Sequence, residues 1–342
     1  MNILENISLA PYTTFKIGGP AKYFCIVTNE EEIMKAVQFA KDKSLPFFVL
    51  GGGSNILISD LGFNGLVIKM EIKGKEYRSG VGAGEEEGVS VGAGEEWDGF
   101  VGDTVLRGLY GLENLSSIPG TVGAAPVQNI GAYGREVSQV IQSVRVLEVA
   151  SLQFVELSKE ECLFDYRDSI FKKNKGKYII TKVDFVLSKV SSLNMDYKDI
   201  KEYFVKNGVT NPTLQQLRQA IVDIRSSKLP DWNMWGTAGS YFKNPTISAE
   251  KFAELKNKYT DLLGFPEIDG KVKVSLGWII ENICKMKGLT IGNVGIYEKH
   301  ALVFVAKPGA TAAEIISLAK SVIDCVKEKT GIAIEAEVEW VN

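Results

Sequence analysis

The chain has 342 residues, of which 45% are hydrophobic and 24% are charged, and its formal net charge is −3. This length allows two domains with a sizeable core, and the composition is typical of a globular protein. The small negative charge and the lack of a long Lys/Arg run argue against a nucleic-acid surface. No apolar run approaches the length of a membrane span, and the first residues do not read as a signal peptide. We therefore expect a cytoplasmic protein without a membrane segment.

In chain order, the first half alternates strand and helix signals. Strands are predicted at 23–27 and 45–50, and Asn29 with Glu32 predicts the start of a helix between them. The second strand runs into the sequence Gly-Gly-Gly-Ser-Asn at 51–55. Residues 66–97 are rich in glycine and strand-like, and residues 81–86 recur as 91–96, which suits paired strands or a local duplication.

The rest of the chain contains one long irregular segment and a series of helix starts. Residues 111–134 are small or turn-forming and predict an elaborate loop. Beyond it, strands are predicted at 144–147, 177–187 and 332–340, and helices are predicted to begin near Ser158, Pro212, Ser248, Ser275 and Thr311. We place a first domain at 1–205, split near residue 70, and a second at 206–342, whose C-terminal strand 332–340 returns to the active site.

The cysteines and the single histidine limit the possible chemistry. Cys25, Cys162, Cys284 and Cys325 form no C-x-x-C pair, which indicates reduced thiols rather than a disulfide framework or a zinc site. Because His300 is the only histidine, a multi-histidine metal site is excluded, and we expect no metal.

Both glycine-rich segments are candidate ligand sites. The three glycines at 51–53 let the backbone approach an anionic group, but a tight turn between strands is an equal alternative. The loop at 111–134 could supply backbone groups to a flat ligand, or it could be an irregular connector. Neither segment is a P-loop or a G-x-G-x-x-G helix start.

Five motifs in this order resemble the UDP-N-acetylenolpyruvoylglucosamine reductases, and the resemblance covers nearly the whole chain. The motifs are 51–55, 118–120, 128–134, 166–171 and 238–245. The resemblance implies an α+β, vanillyl-alcohol-oxidase-like (PCMH-type) FAD-binding fold with two subdomains, plus a smaller α/β substrate-binding domain. It also implies non-covalent FAD, NADPH as reductant, UDP-N-acetylglucosamine enolpyruvate as substrate, and a monomer with no nucleic-acid or membrane partner.

The same resemblance implies roles for individual residues. Ser240 matches the proton donor at C2 after hydride transfer to C3, Arg167 the partner of the enolpyruvyl carboxylate, and Glu337 a group that polarises this unit or assists proton delivery. The implied cofactor-binding residues are Gly51, Gly52, Gly53, Ser54, Asn55, Ser117, Ile118, Pro119, Gly120, Gly123, Ala124, Gln128, Asn129, Gly131, Ala132, Tyr133, Gly134 and Arg225. The implied substrate-binding residues are Tyr197, on a loop that closes on the diphosphate, Lys228, Tyr241 near the uridine, Asn244 and His300.

The residues alone leave simpler interpretations open. Ser240 could belong to a Gly-Ser turn, Arg167 could pair with a neighbouring aspartate, and His300 could be a half-exposed strand-edge residue. Period-two alternation places Glu335, Glu337 and Glu339 on one face without choosing among them. The chain also departs from the family at 81–90, which lengthens a segment, and at 236–238, where an asparagine is more usual.

Two other functions remain as alternatives. One is a flavin oxidase or dehydrogenase of the same fold that acts on another substrate, often with covalently attached flavin. The second is a nucleotide-binding regulator without turnover.

Overall fold

This computed structural model describes residues 1–81, 85–231, 234–267 and 269–342. The chain divides into two compact units, each made of separate pieces of the sequence. Unit 1 comprises Met1–Ile7, Ala21–Gly53 and Asn64–Ser227, and unit 2 comprises Ser8–Pro20, Ser54–Phe63 and Lys228–Asn342. This division differs from the expected boundary near residue 205, because packing rather than chain order holds each unit together.

The strands and helices follow the chain in a mixed order. The strands are β1 (Ile3–Ser8), β2 (Pro20–Val27), β3 (Phe47–Leu50), β4 (Ile56–Ile58), β5 (Phe63–Met70), β6 (Lys75–Val81), β7 (Glu86–Gly92), β8 (Gly131–Ala132), β9 (Arg135–Glu136), β10 (Ile141–Glu148), β11 (Gln153–Ser158), β12 (Tyr178–Ser188), β13 (Thr246–Ser248), β14 (Gly264–Pro266), β15 (Lys271–Val274), β16 (Thr290–Ile291), β17 (Val294–Ile296), β18 (Phe304–Ala306) and β19 (Glu339–Val341). The α-helices are α1 (Glu30–Asp42), α2 (Trp97–Leu106), α3 (Ile170–Lys173), α4 (Lys198–Lys206), α5 (Leu214–Lys228), α6 (Ala249–Lys258), α7 (Leu276–Trp278) and α8 (Ala312–Thr330).

Unit 1 is built on two sheets that share one hydrophobic core. The described strands pair in the orders β1-β2-β5-β3 and β11-β10-β12-β7-β6, and every pairing in the second sheet is antiparallel. Fully buried residues from both sheets, such as Val27 and Val91, join the same core cluster as Trp97 and Phe100 of α2. A smaller cluster around Ile200 and Leu217 joins α4 to α5.

In unit 2, strand pairing and hydrogen bonds join pieces of the chain that lie far apart in sequence. Strand β4 pairs in parallel with β19, and Asp60 accepts hydrogen bonds from the N–H groups of Ala312 and Ala313 at 2.8 and 3.0 Å. The aspartate therefore satisfies free donors in the first turn of α8, where a negative charge is also favourable. The described strands of this unit also form two small sheets, in the orders β13-β15-β14 and β16-β17-β18.

Several predicted helix starts are confirmed by their caps. Asn29 accepts a hydrogen bond from Glu32 N at the start of α1, and Ser248 accepts one from Lys251 N at the start of α6. Thr311 and Glu314 form a capping box at the start of α8, whose C-cap, Gly331, has φ +73°. These signals are local in sequence, so they hold whatever the packing around them.

Two predicted elements are wrong or shortened. The helix expected at Ser158 is absent, because Ser158 and Glu161 exchange hydrogen bonds within a turn that follows β11. The strand expected at 332–340 begins only at Glu339. The Tyr241 carbonyl accepts from both Glu337 N, at 2.7 Å, and Val338 N, at 3.5 Å, which interrupts regular alternation there.

The helix expected to begin near Ser275 is also different. Ser275 caps α7 as predicted, but a π-helical turn at Ile279–Ile283 follows and ends the element early. The repeated segment lies at a hairpin, since β6 ends at Val81 and β7 begins at Glu86. Residues 82–84 of its first copy lie outside the described residues.

The expectation that all four cysteines are reduced is contradicted. Cys284 and Cys325 form a disulfide, with their Cα atoms 6.1 Å apart, whereas Cys25 and Cys162 are free and buried. Sequence spacing cannot reveal this pair, because the fold of unit 2 brings together residues that are 41 positions apart. Among the described helices, none combines the length and apolar character that crossing a bilayer requires.

Candidate functional site

In unit 1, the first glycine segment packs directly against the long loop. A Cβ added at Gly51 would lie 2.6 Å from Thr121 Oγ1, and one added at Gly52 would lie 2.6 Å from Gly120 Cα. Lys69 Nζ donates to the Gly51 carbonyl at 2.9 Å, which fixes the strand end from the other side. Thr121 Oγ1 is buried and has no hydrogen-bond partner among the described residues.

This arrangement fits the cofactor that the sequence predicts. A buried hydroxyl without a partner costs free energy unless a ligand or water satisfies it. Here it lies beside two glycines that keep the backbone bare, which is the environment that a phosphate group needs. The residues at 51–52 and 120–121 would therefore hold an anionic part of FAD.

A second cluster, formed around Asp98, fixes the start of the motif at 117–120. Ser117 has φ +60°, and its N–H donates to Asp98 Oδ1 at 2.5 Å. Arg218 of α5 binds Asp98 at 2.7 and 3.0 Å, and Arg225 Nε donates to the Ser117 carbonyl at 3.2 Å. Burial raises the pKa of Asp98, but the hydrogen bonds from Arg218 and Ser117 outweigh it and lower the pKa overall. Asp98 is thus held as an anion that orders the loop.

Arg225 lies between this cluster and Tyr133. Burial lowers the pKa of Arg225, and the neighbouring Tyr133 and Asp98 oppose that shift. Burial raises the pKa of Tyr133. The backbone of Tyr133 is left-handed, with φ +49°. The structure therefore brings together Ser117, Tyr133 and Arg225, three residues predicted to bind the cofactor.

The motif at 128–134 is held by Arg167. The guanidinium donates from Nη2 to the Gly131 carbonyl at 2.7 Å and from Nη1 to the Asn129 carbonyl at 3.4 Å. The side chain of Asn129 is fully engaged with the protein: it donates to Glu136 and the Asp165 carbonyl and accepts from Ser138 N. Asn129 therefore shapes the loop through both its side chain and its backbone.

The remaining predicted cofactor residues lie on or beside the same segments. Gly123 packs on Ala93, where an added Cβ would lie 2.5 Å from the Ala93 Cβ, and its N–H donates to the Ala93 carbonyl. Gly53, Ile118, Pro119, Ala124, Gln128, Ala132 and Gly134 belong to unit 1, whereas Ser54 and Asn55 belong to unit 2. Tyr197, a predicted substrate residue, also lies in unit 1, with its ring edge-on to Tyr133 at a centroid distance of 5.2 Å.

In unit 2, the structure joins the segments that carry Ser240 and Glu337. Ser240 is bridged to Val303, Phe242 is bridged to Ala336, and Glu337 N donates to the Tyr241 carbonyl at 2.7 Å. Asn55 Nδ2 donates to the Glu337 carbonyl at 3.1 Å, and the Asn55 carbonyl accepts from Glu339 N. Ser240 and Glu337 therefore lie on adjoining backbone segments, although 97 positions separate them in sequence (337 minus 240).

The turn before Ser240 has open space around Gly239. Gly239 has φ +74°, and nothing lies within 4 Å of the position that a Cβ would occupy there. Glu337 and Glu339 are half-buried and Glu335 is exposed, so burial separates Glu335 from the other two acids of the predicted strand. Sequence alternation alone did not distinguish them.

The predicted substrate residues of unit 2 differ in how free their side chains are. Tyr241 is 7% exposed and stacks on Phe304, with centroids 4.5 Å apart, so its ring belongs to the core. Asn244 Oδ1 accepts from Leu276 N at the start of α7, and His300 Nδ1 accepts from Leu302 N. Lys228 is exposed at the end of α5. A uridine contact by Tyr241 is therefore not supported, since the ring is already packed.

Sequence analysis missed the residues that support these loops. Asp98, Arg218 and Lys69 act through contacts between elements far apart in sequence, so no local pattern signals them. Asn114, which is fully buried, lies within the predicted loop at 111–134. In the described part of the chain, no cluster of three or more His, Cys, Asp or Glu residues could hold a metal ion.

Two family models match this chain. Residues 21–156 match a model described as an FAD binding domain, and residues 230–341 match the C-terminal domain of UDP-N-acetylenolpyruvoylglucosamine reductase. The first covers both glycine segments of unit 1, and the second covers the Ser240 and Glu337 segments.

Curated relatives match almost end to end. The UDP-N-acetylenolpyruvoylglucosamine reductase of Pseudomonas aeruginosa is 38% identical, and the alignment covers 98% of both chains. That of Paraburkholderia xenovorans is 40% identical over 98% of this chain and 96% of its own length. That of Chromobacterium violaceum is 41% identical over 97% of both.

Solved structures support the same architecture. A UDP-N-acetylenolpyruvylglucosamine reductase from Thermus caldophilus matches with a TM-score of 0.69 and 26% identity over 100% of both chains. A VAO-type flavoprotein from Myceliophthora thermophila matches with a TM-score of 0.50 and 10% identity over 94% of this chain and 73% of its own. The second likeness concerns the fold alone, and it agrees with the fold class predicted from the sequence.

Proposed function

Because this chain belongs to the UDP-N-acetylenolpyruvoylglucosamine reductase family, we propose that it performs the family's reaction with Ser240, Arg167 and Glu337 as its reactive side chains. It is an FAD-dependent oxidoreductase of peptidoglycan precursor synthesis that reduces the enolpyruvyl group of its nucleotide-sugar substrate. The observation that carries this conclusion is identity of 38–41% over nearly the full length of its relatives.

FAD would supply the hydride chemistry when bound, between NADPH and C3 of the enolpyruvyl group. The glycine segment at 51–53 and residues 117–134 of the long loop would hold this cofactor non-covalently. The buried Thr121 hydroxyl beside Gly51 supports this placement most directly.

Ser240 donates the proton that completes the reaction at C2. An alcohol is a weak acid, so the serine needs neighbours that lower the cost of losing its proton. Glu337, whose backbone is bonded next to the Ser240 segment at Tyr241, is the titratable group assigned to that role. Glu337→Gln should therefore slow turnover while FAD content is retained.

Arg167 stabilises the negative charge of the enolpyruvyl carboxylate as charge builds on the substrate. A guanidinium stays protonated at any working pH and can bind a carboxylate through two N–H groups. In unit 1 it already donates to the carbonyls of Gly131 and Asn129, so its position is fixed by the cofactor loop itself.

Substrate binding is assigned to Tyr197, Lys228, Asn244 and His300. Lys228 is exposed and suits a diphosphate, and the Nδ2 of Asn244 is the part of that amide left for a ligand, since its oxygen caps α7. His300 Nδ1 accepts a hydrogen bond from Leu302 N, so the neutral ring carries its proton on Nε2. We further propose that the enzyme acts in the cytoplasm as a monomer. Sedimentation of the purified protein would test the monomeric state.

A visible spectrum followed by two half-reactions tests this function. We expect bound oxidised flavin, bleaching by NADPH, and recovery of the colour on addition of UDP-N-acetylglucosamine enolpyruvate. A preparation that stays colourless after added FAD would contradict the proposal. Bleaching without recovery would instead indicate a flavoenzyme with a different substrate.

A further inference from the structure

Four contacts in unit 1 join the segment that carries Tyr197 to the hairpin of β8 and β9. Asn114 Nδ2 donates both to the Tyr133 carbonyl, at 3.1 Å, and to the Asn194 carbonyl, at 2.9 Å. Asn194 Nδ2 donates back to the Gly134 carbonyl at 3.2 Å, and the Tyr197 ring packs on the Tyr133 ring. One amide group therefore links the two segments directly.

The burial of Asn114 indicates that this link carries a cost in the free energy of folding. Asn114 is 0% exposed, and its Oδ1 has no hydrogen-bond partner among the described residues. A buried acceptor without a partner is unfavourable, so an apolar side chain would suit this site better if only packing mattered. What the amide provides is a pair of donors directed at two carbonyls from segments about 60 residues apart in sequence.

Arg135 adds a weaker connection at the other end of the segment. Its Nη2 donates to the Ser192 carbonyl at 3.1 Å, while its Nη1 reaches Gln139 Oε1 at 3.5 Å. Ser192 is exposed and Tyr197 is 46% exposed, whereas Leu193 and Met195 between them are half-buried and pack against the α4–α5 cluster. The hydrogen bonds therefore set the position of its backbone against the β8–β9 hairpin, in addition to apolar contacts with that cluster.

We propose that Asn114 is a positioning residue that seats the Tyr197 segment on the Tyr133 hairpin and thereby sets the affinity for the nucleotide-sugar substrate. It acts through Tyr197 and contacts neither substrate nor reacting atoms. This inference rests on the proposed function, since it assigns a substrate contact to Tyr197.

A double-mutant cycle on the FAD-loaded enzyme tests the proposal. Asn114→Ala removes both donors, and Asn114→Leu removes them while keeping most of the side-chain volume. With FAD in excess, each should raise the KM for UDP-N-acetylglucosamine enolpyruvate about tenfold, the range expected for losing one or two buried hydrogen bonds. In a Tyr197→Ala background the same changes should raise KM less than about twofold, because coupled residues are not additive.

Asn207→Ala is the matched control, since Asn207 Nδ2 also donates to a backbone carbonyl of unit 1 but lies exposed at the end of α4. It should leave KM unchanged. Equal effects of Asn114→Ala with and without Tyr197 would overturn the positioning role. So would a Tyr197→Ala variant with native KM.

Amide hydrogen exchange separates this inference from the function itself. In either Asn114 variant, residues 192–197 should exchange faster, while β12 keeps its native protection. Unchanged exchange at 192–197 would overturn the proposal even in a fully active enzyme. If the wild-type protein fails to reoxidise with substrate, the proposed function fails, but the exchange result still decides whether Asn114 holds the segment.

Discussion

The glycine loops of unit 1 and the Ser240 segment of unit 2 are built in opposite ways. In unit 1, residues close in sequence adopt left-handed backbone conformations, as at Ser117, Asn129 and Tyr133, and polar side chains such as those of Asp98 and Asn129 hold the loop there. In unit 2, extended segments from distant parts of the chain are bridged through their backbones, as Ser240 is to Val303.

This difference determines which groups in each region are engaged in fixing the structure. Where side chains such as Asn129 and Asp98 fix a loop, they are engaged with the protein and not with a ligand. Where the backbone is used in pairing, as around Glu337, backbone hydrogen bonds rather than the carboxylate fix the position of the segment. The first arrangement suits a bound cofactor, and the second suits proton transfer.

The largest expected effect is on the side-chain chemistry of unit 2. Ser240→Ala should leave flavin reduction by NADPH intact but slow reoxidation by the enolpyruvyl substrate by about 10²–10⁴-fold, the usual contribution of a general acid. Stopped-flow absorbance of the flavin measures the two steps separately. Ser321→Ala, an exposed serine of α8, is the control. Native reoxidation in Ser240→Ala would remove the serine from the mechanism.

Arg167 is the one reactive side chain assigned to unit 1. Its substitution tests whether that unit contributes a side chain to the reaction. Arg167→Lys keeps the charge but loses the two-point contact, and kcat/KM should fall about 10- to 150-fold, which corresponds to about 1.5–3 kcal/mol for a charged hydrogen bond. Arg107→Lys, on the exposed end of α2, should have no such effect. If flavin content falls in parallel with turnover, Arg167 instead supports the loop alone.

Gly52→Ala tests the cofactor side of the comparison. The new Cβ would lie 2.6 Å from Gly120 Cα, so the two backbones must separate, at a cost of about 1–3 kcal/mol in stability and with reduced FAD retention. Gly99→Ala is the matched control, because its Cβ would meet nothing closer than 3.5 Å. There alanine should stabilise α2 by about 0.5–1 kcal/mol. Thermal unfolding with and without FAD measures both variants.

Asp98 should give the smallest effect, and one that depends on pH. Asp98→Asn weakens the bonds to Arg218 and Ser117 N, and we expect a loss of about 1 kcal/mol in stability. Because the folded pKa of Asp98 lies below its ordinary value of 3.8, this contribution is fully present above pH 4 or so and disappears as pH falls through the lowered pKa. Urea unfolding of both proteins at neutral and acidic pH measures it. A difference that persisted undiminished below the lowered pKa would contradict the assignment.

Much of the fold could be predicted because its signals are local. The caps at Asn29, Ser248 and Thr311 lie within three residues of their partners, so the helices were found with their correct starts. The same kind of pair at Ser158 and Glu161 failed, because a turn satisfies it equally well. Local hydrogen bonding predicts a helix only when apolar periodicity continues after it.

The sequence by itself determined the family, the flavin fold and the motifs that carry the glycine loops. It could do so because those loops are contiguous and their backbone demands select particular residues at particular places. Only the tertiary structure decided that Cys284 meets Cys325, that the Tyr241 ring lies in the core, and that Asn114 links Tyr133 to Asn194. Each of these depends on which distant segments pack together, and no single segment carries that information, because the contact energy belongs to the pair.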